Sequence, residues 1–282
     1  MRYLITGANG QIGSRVVERL VQAGCRPRLL VRDAGKALSR FEGSVDVFKG
    51  ELGDSGSLEI ALNGIDSVFL LNSGPEIPQL DEMAGRLANA AGVGHVVKLS
   101  ALSAAEALAI GAWHAEGEAA IRTSGVAYTF LRPAGFMSNT LEWARSIRAQ
   151  GVVRACTGDG RVAYIHPDDV AAVAAKVLIT GQYHGDSLHL TGPRLMSYAE
   201  MTSTIGAVIG RELSFEAISD PDALDRLTSI GMPAIEAEAL VSLWRAIREG
   251  KLATVSTGVA DILGKPPISF ERWVEENATS YR

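Results

Sequence analysis

Three glycines near the N-terminus, Gly7, Gly10 and Gly13 in YLITGANGQIG, follow an apolar run with no charge among them. Glycine lets a backbone turn tightly and approach a ligand with no Cβ in the way. The first turn of a helix offers unpaired N–H groups and a positive dipole end. The two together suit a phosphate. Gly7 should close a strand, Gly10 should sit at the bend, and Gly13 should fall in the first helical turn, with Asn9, Gln11 and Ile12 around the ligand. The spacing is G-x-x-G-x-x-G, not G-x-G-x-x-G, so its context must carry the meaning. A strand before it and an amphipathic helix after it make it a dinucleotide site.

The end of the second apolar run, LLVRD, separates two forms of that ligand. An acid there would bind the ribose hydroxyls, whereas an arginine accommodates a 2′-phosphate. Here Arg32 comes first and Asp33 second, with Lys36 a turn later. Arginine is well shaped for phosphate, which favours NADP (as NADPH) and leaves NAD open. Ligands of open α/β sheets lie along the C-terminal strand ends. The loops at those ends hold Glu51 and Leu52, then Asn72, Ser73 and Gly74, then Ser100 and Ala101. Their small residues let a flat nicotinamide ribose come close.

Other groups are less telling. His166, Asp168 and Asp169 in YIHPDDVA look like a cluster, but Asp168 is expected to cap the helix that Pro167 begins, with Asp169 in its first turn. Cys25 and Cys156 lie far apart, and His184 and His189 lie near no second ligand pattern, so no metal site is expected. No G-x-S-x-G motif is present.

Short β-branched or apolar runs must position these residues: RYLIT, RPRLLVR, VDVFKG, IDSVFLL, HVVKLS and VAYTFLRP. Helical spacing lies between them, as where Ile12, Val16, Val17, Leu20 and Val21 share a face. Strands alternating with helices imply parallel βαβ units, hence an α/β fold with a doubly wound parallel sheet. The pattern loosens after Pro133. RVAYIHPDDVAAVAAKVLITG reads as a strand and a helix, DSLHLTGP as a strand, and the chain from about Ser197 as mostly helical. A smaller, mostly helical C-terminal lobe is therefore expected over the sheet's C-terminal edge. The 282 residues suffice for one domain with an attached lobe, and the net charge of −5 disfavours broad binding to nucleic acid or an anionic membrane. The N-terminus lacks signal-peptide regions and no apolar run is long enough to span a bilayer, so a cytoplasmic location is expected.

TGANGQIG, LVRD, GELGDSGSL, SGVAYTFLRPAGFMSN and YIHPDDVA together resemble an NmrA-like atypical short-chain dehydrogenase/reductase. The resemblance spans nearly the whole chain and is strongest to about Ala171. It implies a dinucleotide-binding Rossmann domain over 1–135, with 161–190 returning to it, and a substrate lobe over 136–160 and 191–282. It implies that Pro133, Ala134, Gly135 and Phe136 flank the nicotinamide. Relatives in the wider superfamily carry a Tyr and a Lys one helical turn apart. Those positions fall here on Ile110 and His114. His114 is then the candidate catalytic residue, able to bind the ribose or substrate or to supply a proton. Glu118, one turn on, reads as a solvated i,i+4 partner. Trp113, Met137, Asn139 and Trp143 would form an apolar wall with one polar handle, suited to a small aromatic substrate. Without the usual acid, a quinone-like hydride acceptor is the leading expectation. The alternatives are a cofactor-binding regulator without turnover and a tailoring enzyme of aromatic polyketides. A monomer or a homodimer is expected.

Overall fold

The computed structural model describes residues 1–106, 108 and 110–282. The first apolar runs become β1 (Tyr3–Thr6), β2 (Arg28–Val31), β3 (Asp46–Lys49), β4 (Ser67–Leu70), β5 (His95–Leu99) and β6 (Tyr128–Pro133). They alternate with α1 (Gln11–Gln22), α2 (Ala34–Phe41), α3 (Ser55–Leu62), α4 (Ile77–Ala90) and α5 (Ile110–Thr123). A 3-10 segment, Met137–Trp143, leads into α6 (Ala144–Gln150), β7 (Val152–Ala155), β8 (Arg161–Val162), α7 (Pro167–Thr180) and β9 (Ser187–Leu190). The remainder comprises β10 (Met196–Ser197), α8 (Tyr198–Ile209), β11 (Ser214–Ala217), α9 (Asp220–Ser229), α10 (Ala234–Arg248), α11 (Gly258–Leu263) and α12 (Phe270–Tyr281).

The main sheet is seven-stranded and parallel, in the order β3-β2-β1-β4-β5-β6-β9. Strands β1, β4 and β5 are buried along their whole length, as they must be when helices cover both faces. On one face Val16, Val17 and Leu20 of α1 pack with Val170, Val173 and Val177 of α7. On the other, Leu58 and Leu62 of α3 pack with Leu87 of α4 and Ile121 of α5. The strand order reverses between β1 and β4. There the Thr6 hydroxyl accepts the Leu71 N–H at 2.7 Å and donates to the Leu71 carbonyl at 3.0 Å, fixing the two strand ends side by side.

The second lobe has its own core, in which Ile147, Val153, Met201, Ile205, Trp273 and Tyr281 are buried. Two small sheets brace it: β7 with β11, parallel, and β8 with β10, antiparallel. Within 161–190, β9 pairs with β6 in the main sheet and α7 packs into its core. Strand β8 stays with the lobe, because Val162 and Tyr164 find their apolar partners there. Conversely α11, expected in the lobe, packs Val259 and Ile262 into the main core. A Cβ at Gly258 would overlap the His189 carbonyl, so the start of α11 lies directly on β9.

Candidate functional site

The glycine loop is built by close approach. Gly7 adopts φ +63°, and a Cβ at Gly13 would overlap the Gly7 carbonyl, so α1 rests directly on the turn it leaves. Gly10 is the N-cap of α1, with no side chain capping the helix. Its uncapped first-turn N–H groups make a charge-complementary place for a pyrophosphate. A groove of about 770 Å³ runs from this loop along the C-terminal strand ends, lined by Gly7, Asn9, Gly10, Arg32, Lys36, Glu51, Leu52, Asn72 and Ser73. Asn9 donates to the Asp33 carbonyl at 2.9 Å, while its Oδ1 is buried without a partner. The Oδ1 of Asn72 is likewise orphaned. Asp33 caps α2, accepting the Lys36 N–H at 3.0 Å, which leaves Arg32 facing the groove. A bare helix start, a glycine cradle, two orphaned amides and two cations fit a phosphorylated dinucleotide.

A second cavity of about 330 Å³ lies beside the groove, at the ends of β5 and β6. Ser100, Ala101, His114, Pro133, Ala134, Gly135, Phe136, Asn139 and Trp143 line it. So do Ile110, Glu142, Tyr164, Tyr198 and, from α10, Leu240, Leu243 and Trp244. Gly135 is required here because any Cβ would strike the Tyr164 ring. The Tyr164 and Tyr198 hydroxyls lie 2.6 Å apart. Burial pushes Tyr164 up to about 12, so this phenol stays protonated at neutral pH.

Beneath the pocket floor lie two buried charge clusters. Lys98 and Asp81, both with fully buried side chains, pair at 2.6 Å, and Asn72 donates to Asp81 at 2.8 Å. Burial raises the Asp81 carboxyl despite Lys98. Glu118 accepts from both Nε and Nη2 of Arg132, at 2.9 and 2.5 Å, and from the Ser100 hydroxyl at 2.6 Å. Burial alone would raise Glu118, but the hydrogen bonds from Arg132 and Ser100 hold it below the usual carboxylate range. His114 faces the pocket with its Nδ1 unpartnered. Burial, and then the Lys98 charge, lowers it to about 3.

Several expectations change. Glu118 is no solvated partner: its side chain is 1% exposed and is held by Arg132 from β6. His114 is neutral at physiological pH, so it can hydrogen-bond but not serve as an imidazolium acid. Met137 turns into the lobe core and does not line the pocket, because its N–H is fixed to the Ile165 carbonyl. Trp113, about 100° round the helix from His114, does not line it either. Gln11 and Gly74 lie outside the groove, and Ile12 is buried in the main core. His166, not Asp168, caps α7: its Nδ1 accepts the Asp168 N–H at 3.1 Å. Asp168 reaches Arg15 of α1 at 2.6 Å, and Asp169 accepts the Ile268 N–H at 2.7 Å. Among the described residues no group of acids, histidines and cysteines could hold a metal, and no helix is long and apolar enough to cross a membrane. The α10 residues and the tyrosine pair were missed from sequence. Their signal was the apolar stripe on PAIEAEALVSLWRAIREG and the Gly135 that makes room for a ring.

Residues 7–180 match the model of a family described as NAD(P)H-binding. The chain is 40% identical to the (4-alkanoyl-5-oxo-2,5-dihydrofuran-3-yl)methyl phosphate reductase of Streptomyces griseus, over 99% of this chain and 98% of that one. It is 33% identical to the NAD(P)H azoreductase of Xenophilus azovorans, again over 99% and 98%. The crystal structure of an Escherichia coli NADPH-dependent quinone oxidoreductase complexed with NADPH superposes with a TM-score of 0.90 at 26% identity. That match covers 97% of this chain and 99% of that one.

Proposed function

This chain belongs to the NAD(P)H-binding family, as an NmrA-like atypical short-chain dehydrogenase/reductase, and from that premise we propose that it is an NADPH-dependent reductase of conjugated, electron-poor small molecules. The cofactor, when bound, supplies the hydride. Gly10 and the start of α1 would hold its pyrophosphate, and Arg32 with Lys36 its 2′-phosphate. Asn72, Ser73, Ser100 and Ala101 would border the nicotinamide ribose, with Pro133 to Phe136 beside the ring.

The observation that carries this reading is the apolar, aromatic pocket at the ends of β5 and β6, which holds a neutral His114 where an acid is usual. Hydride addition to a simple ketone builds a localised alkoxide, which needs a proton or strong stabilisation. Addition to a conjugated system spreads the charge, so positioning carries most of the work. The acceptors named for the relatives share that property. One is an azo compound, one a quinone, and one a dihydrofuranone whose ring double bond is conjugated to two carbonyls. Uncharged His114 and Asn139 would hydrogen-bond the acceptor while Trp143 and Trp244 cover it.

The test is NADPH consumption with a quinone, an azo dye and a phosphorylated dihydrofuranone. Stoichiometric loss of NADPH with one of them is expected. Tight binding of NADPH with no consumption across the panel would sink this reading and favour a cofactor-sensing regulator, and a need for molecular oxygen would favour a tailoring enzyme.

A further inference from the structure

A third cavity, of about 500 Å³, adjoins the aromatic pocket and shares Glu142, Trp143 and Trp244 with it. Three elements bring guanidinium groups to its lining: Arg145 on α6, Arg154 on β7 and Arg226 on α9. The whole chain carries a net charge of −5, so such a lining runs against the average of the molecule. Several arginines elsewhere are matched by acids, as Arg40 is by Glu18, Arg161 by Glu200 and Arg194 by Glu271. In this cleft Arg154 pairs with Glu216 at 2.6 Å and donates to Gln150 at 2.6 Å. Among the described residues, Arg145 and Arg226 have no carboxylate within 4.0 Å. Arg145 and Arg226, without counter-ions on one lining, are stabilised by an anion placed beside them. Glu142 stands in the shared wall as the one acid among the residues that line the cleft.

We propose that this cleft is an anion subsite of the reducing pocket: the conjugated ring of the acceptor lies among the aromatics, and a short arm bearing a phosphate or sulfonate passes Trp143 and Trp244 to reach Arg145, Arg154 and Arg226. The inference rests on the reductase reading and narrows its substrate to an anionic conjugated acceptor. The apolar pocket reads the ring and the arginines read the arm. The positive lining also raises the local concentration of such an acceptor.

Three probes with a common ring test this on the full chain: 2-methyl-1,4-naphthoquinone, the same ring with a sulfonate on its methylene arm, and the same ring with a phosphate ester on that arm. The double variant Arg145→Ala/Arg226→Ala should raise KM for both anionic quinones about tenfold. KM for the methyl quinone should change less than about twofold, and kcat should stay near wild type for all three. Glu142→Gln should hold or improve KM for the anionic pair. In the unmodified chain, the ratio of the two anionic KM values shows whether phosphate or sulfonate is preferred. Equal losses on charged and neutral acceptors, or no loss on either, would overturn the subsite. Calorimetric titration of the three compounds onto the NADP⁺-bound protein separates the two readings. If no acceptor consumes NADPH, the reductase reading fails. A Kd preference for the anionic quinones that vanishes in the double variant upholds the cleft even then, and the absence of that preference sinks it.

Discussion

His114 projects from α5 into the pocket at 9% exposure, and its low pKa has consequences for both activity and stability. The folded value of about 3 lies below the ordinary 6.5, so the unfolded chain takes up the proton first as pH falls. Above about pH 6.5 the residue contributes nothing to the pH dependence. Between about 6.5 and 3 it draws the equilibrium toward the unfolded state. From pH 7.5 to pH 5 this amounts to about 2 kcal/mol. His114→Gln should therefore narrow the difference in urea stability between those two pH values by about that amount. An unchanged difference would mean that His114 takes up its proton as readily in the fold as in the unfolded chain. A neutral imidazole also predicts that kcat shows no ionisation between about pH 6 and 8 that the same variant abolishes. Arg32 makes a separate claim at the other end of the crevice. Losing one charge-assisted contact to a phosphate costs about 1.5–3 kcal/mol, so Arg32→Ala should weaken NADPH roughly 10- to 100-fold and NADH little. Equal losses for the two nucleotides would remove Arg32 from the 2′-phosphate.

Elements reach the site through positions where no side chain fits. A Cβ at Gly117 would overlap the Asp81 carboxylate and meet Ile77 at 3.1 Å, so α5 lies against α4 directly over the Lys98–Asp81 pair. Gly117→Ala should lift α5, strain the pair and shift His114 on the same helix. A cost of about 1–3 kcal/mol follows from overpacking, and in a chain of this size it should lower Tm by roughly 2–5 °C. Wild-type Tm with wild-type KM would show that the helices have slack there. The distinction between Gly13 and Gly117 also explains how much was legible in the sequence. Gly13 belongs to a local motif, a strand, a turn and a helix contiguous in the chain, and periodicity placed all three. The doubly wound parallel sheet followed from the same local rules. Gly117 answers to Asp81 in another helix and Lys98 on a strand, contacts that no spacing reveals. The i,i+4 rule pointed Glu118 at solvent, but its burial is decided by Arg132 across the sheet. The walls of the pocket were hidden for the same reason, since Tyr164, Tyr198 and Trp244 meet only once the lobe has folded.

At the scale of the molecule, the two halves of the site rest on cores of different size. The dinucleotide groove is framed by strand ends anchored in the two large clusters around the main sheet. The outer walls of the pocket and the arginine cleft depend on α9 and the first half of α10, which close on a small cluster of Cys156, Ala223, Leu227, Ala237 and Val241, while Ala246 and Ile247 of α10 join the lobe core. Regions with little buried apolar surface open at lower free energy than the body of a protein. Helix α9 with the first half of α10 should therefore open before the sheet does, uncovering both cavities together. Cys156 reports that motion. It is 1% exposed at the base of the pair, and burial together with Asp220 raises its thiol to about 11. Alkylation must then wait for opening, because only an exposed thiolate reacts readily. A Cys25→Ser background leaves Cys156 as the lone thiol. NADP⁺ alone, held by the groove, should leave its alkylation rate near that of the free protein. NADP⁺ with an anionic quinone at ten times its Kd should slow alkylation roughly tenfold, because a ligand held only by the closed form lowers the open population in that proportion. Slowing by NADP⁺ alone to the same extent would instead tie α9 and α10 to the sheet as one cooperative unit.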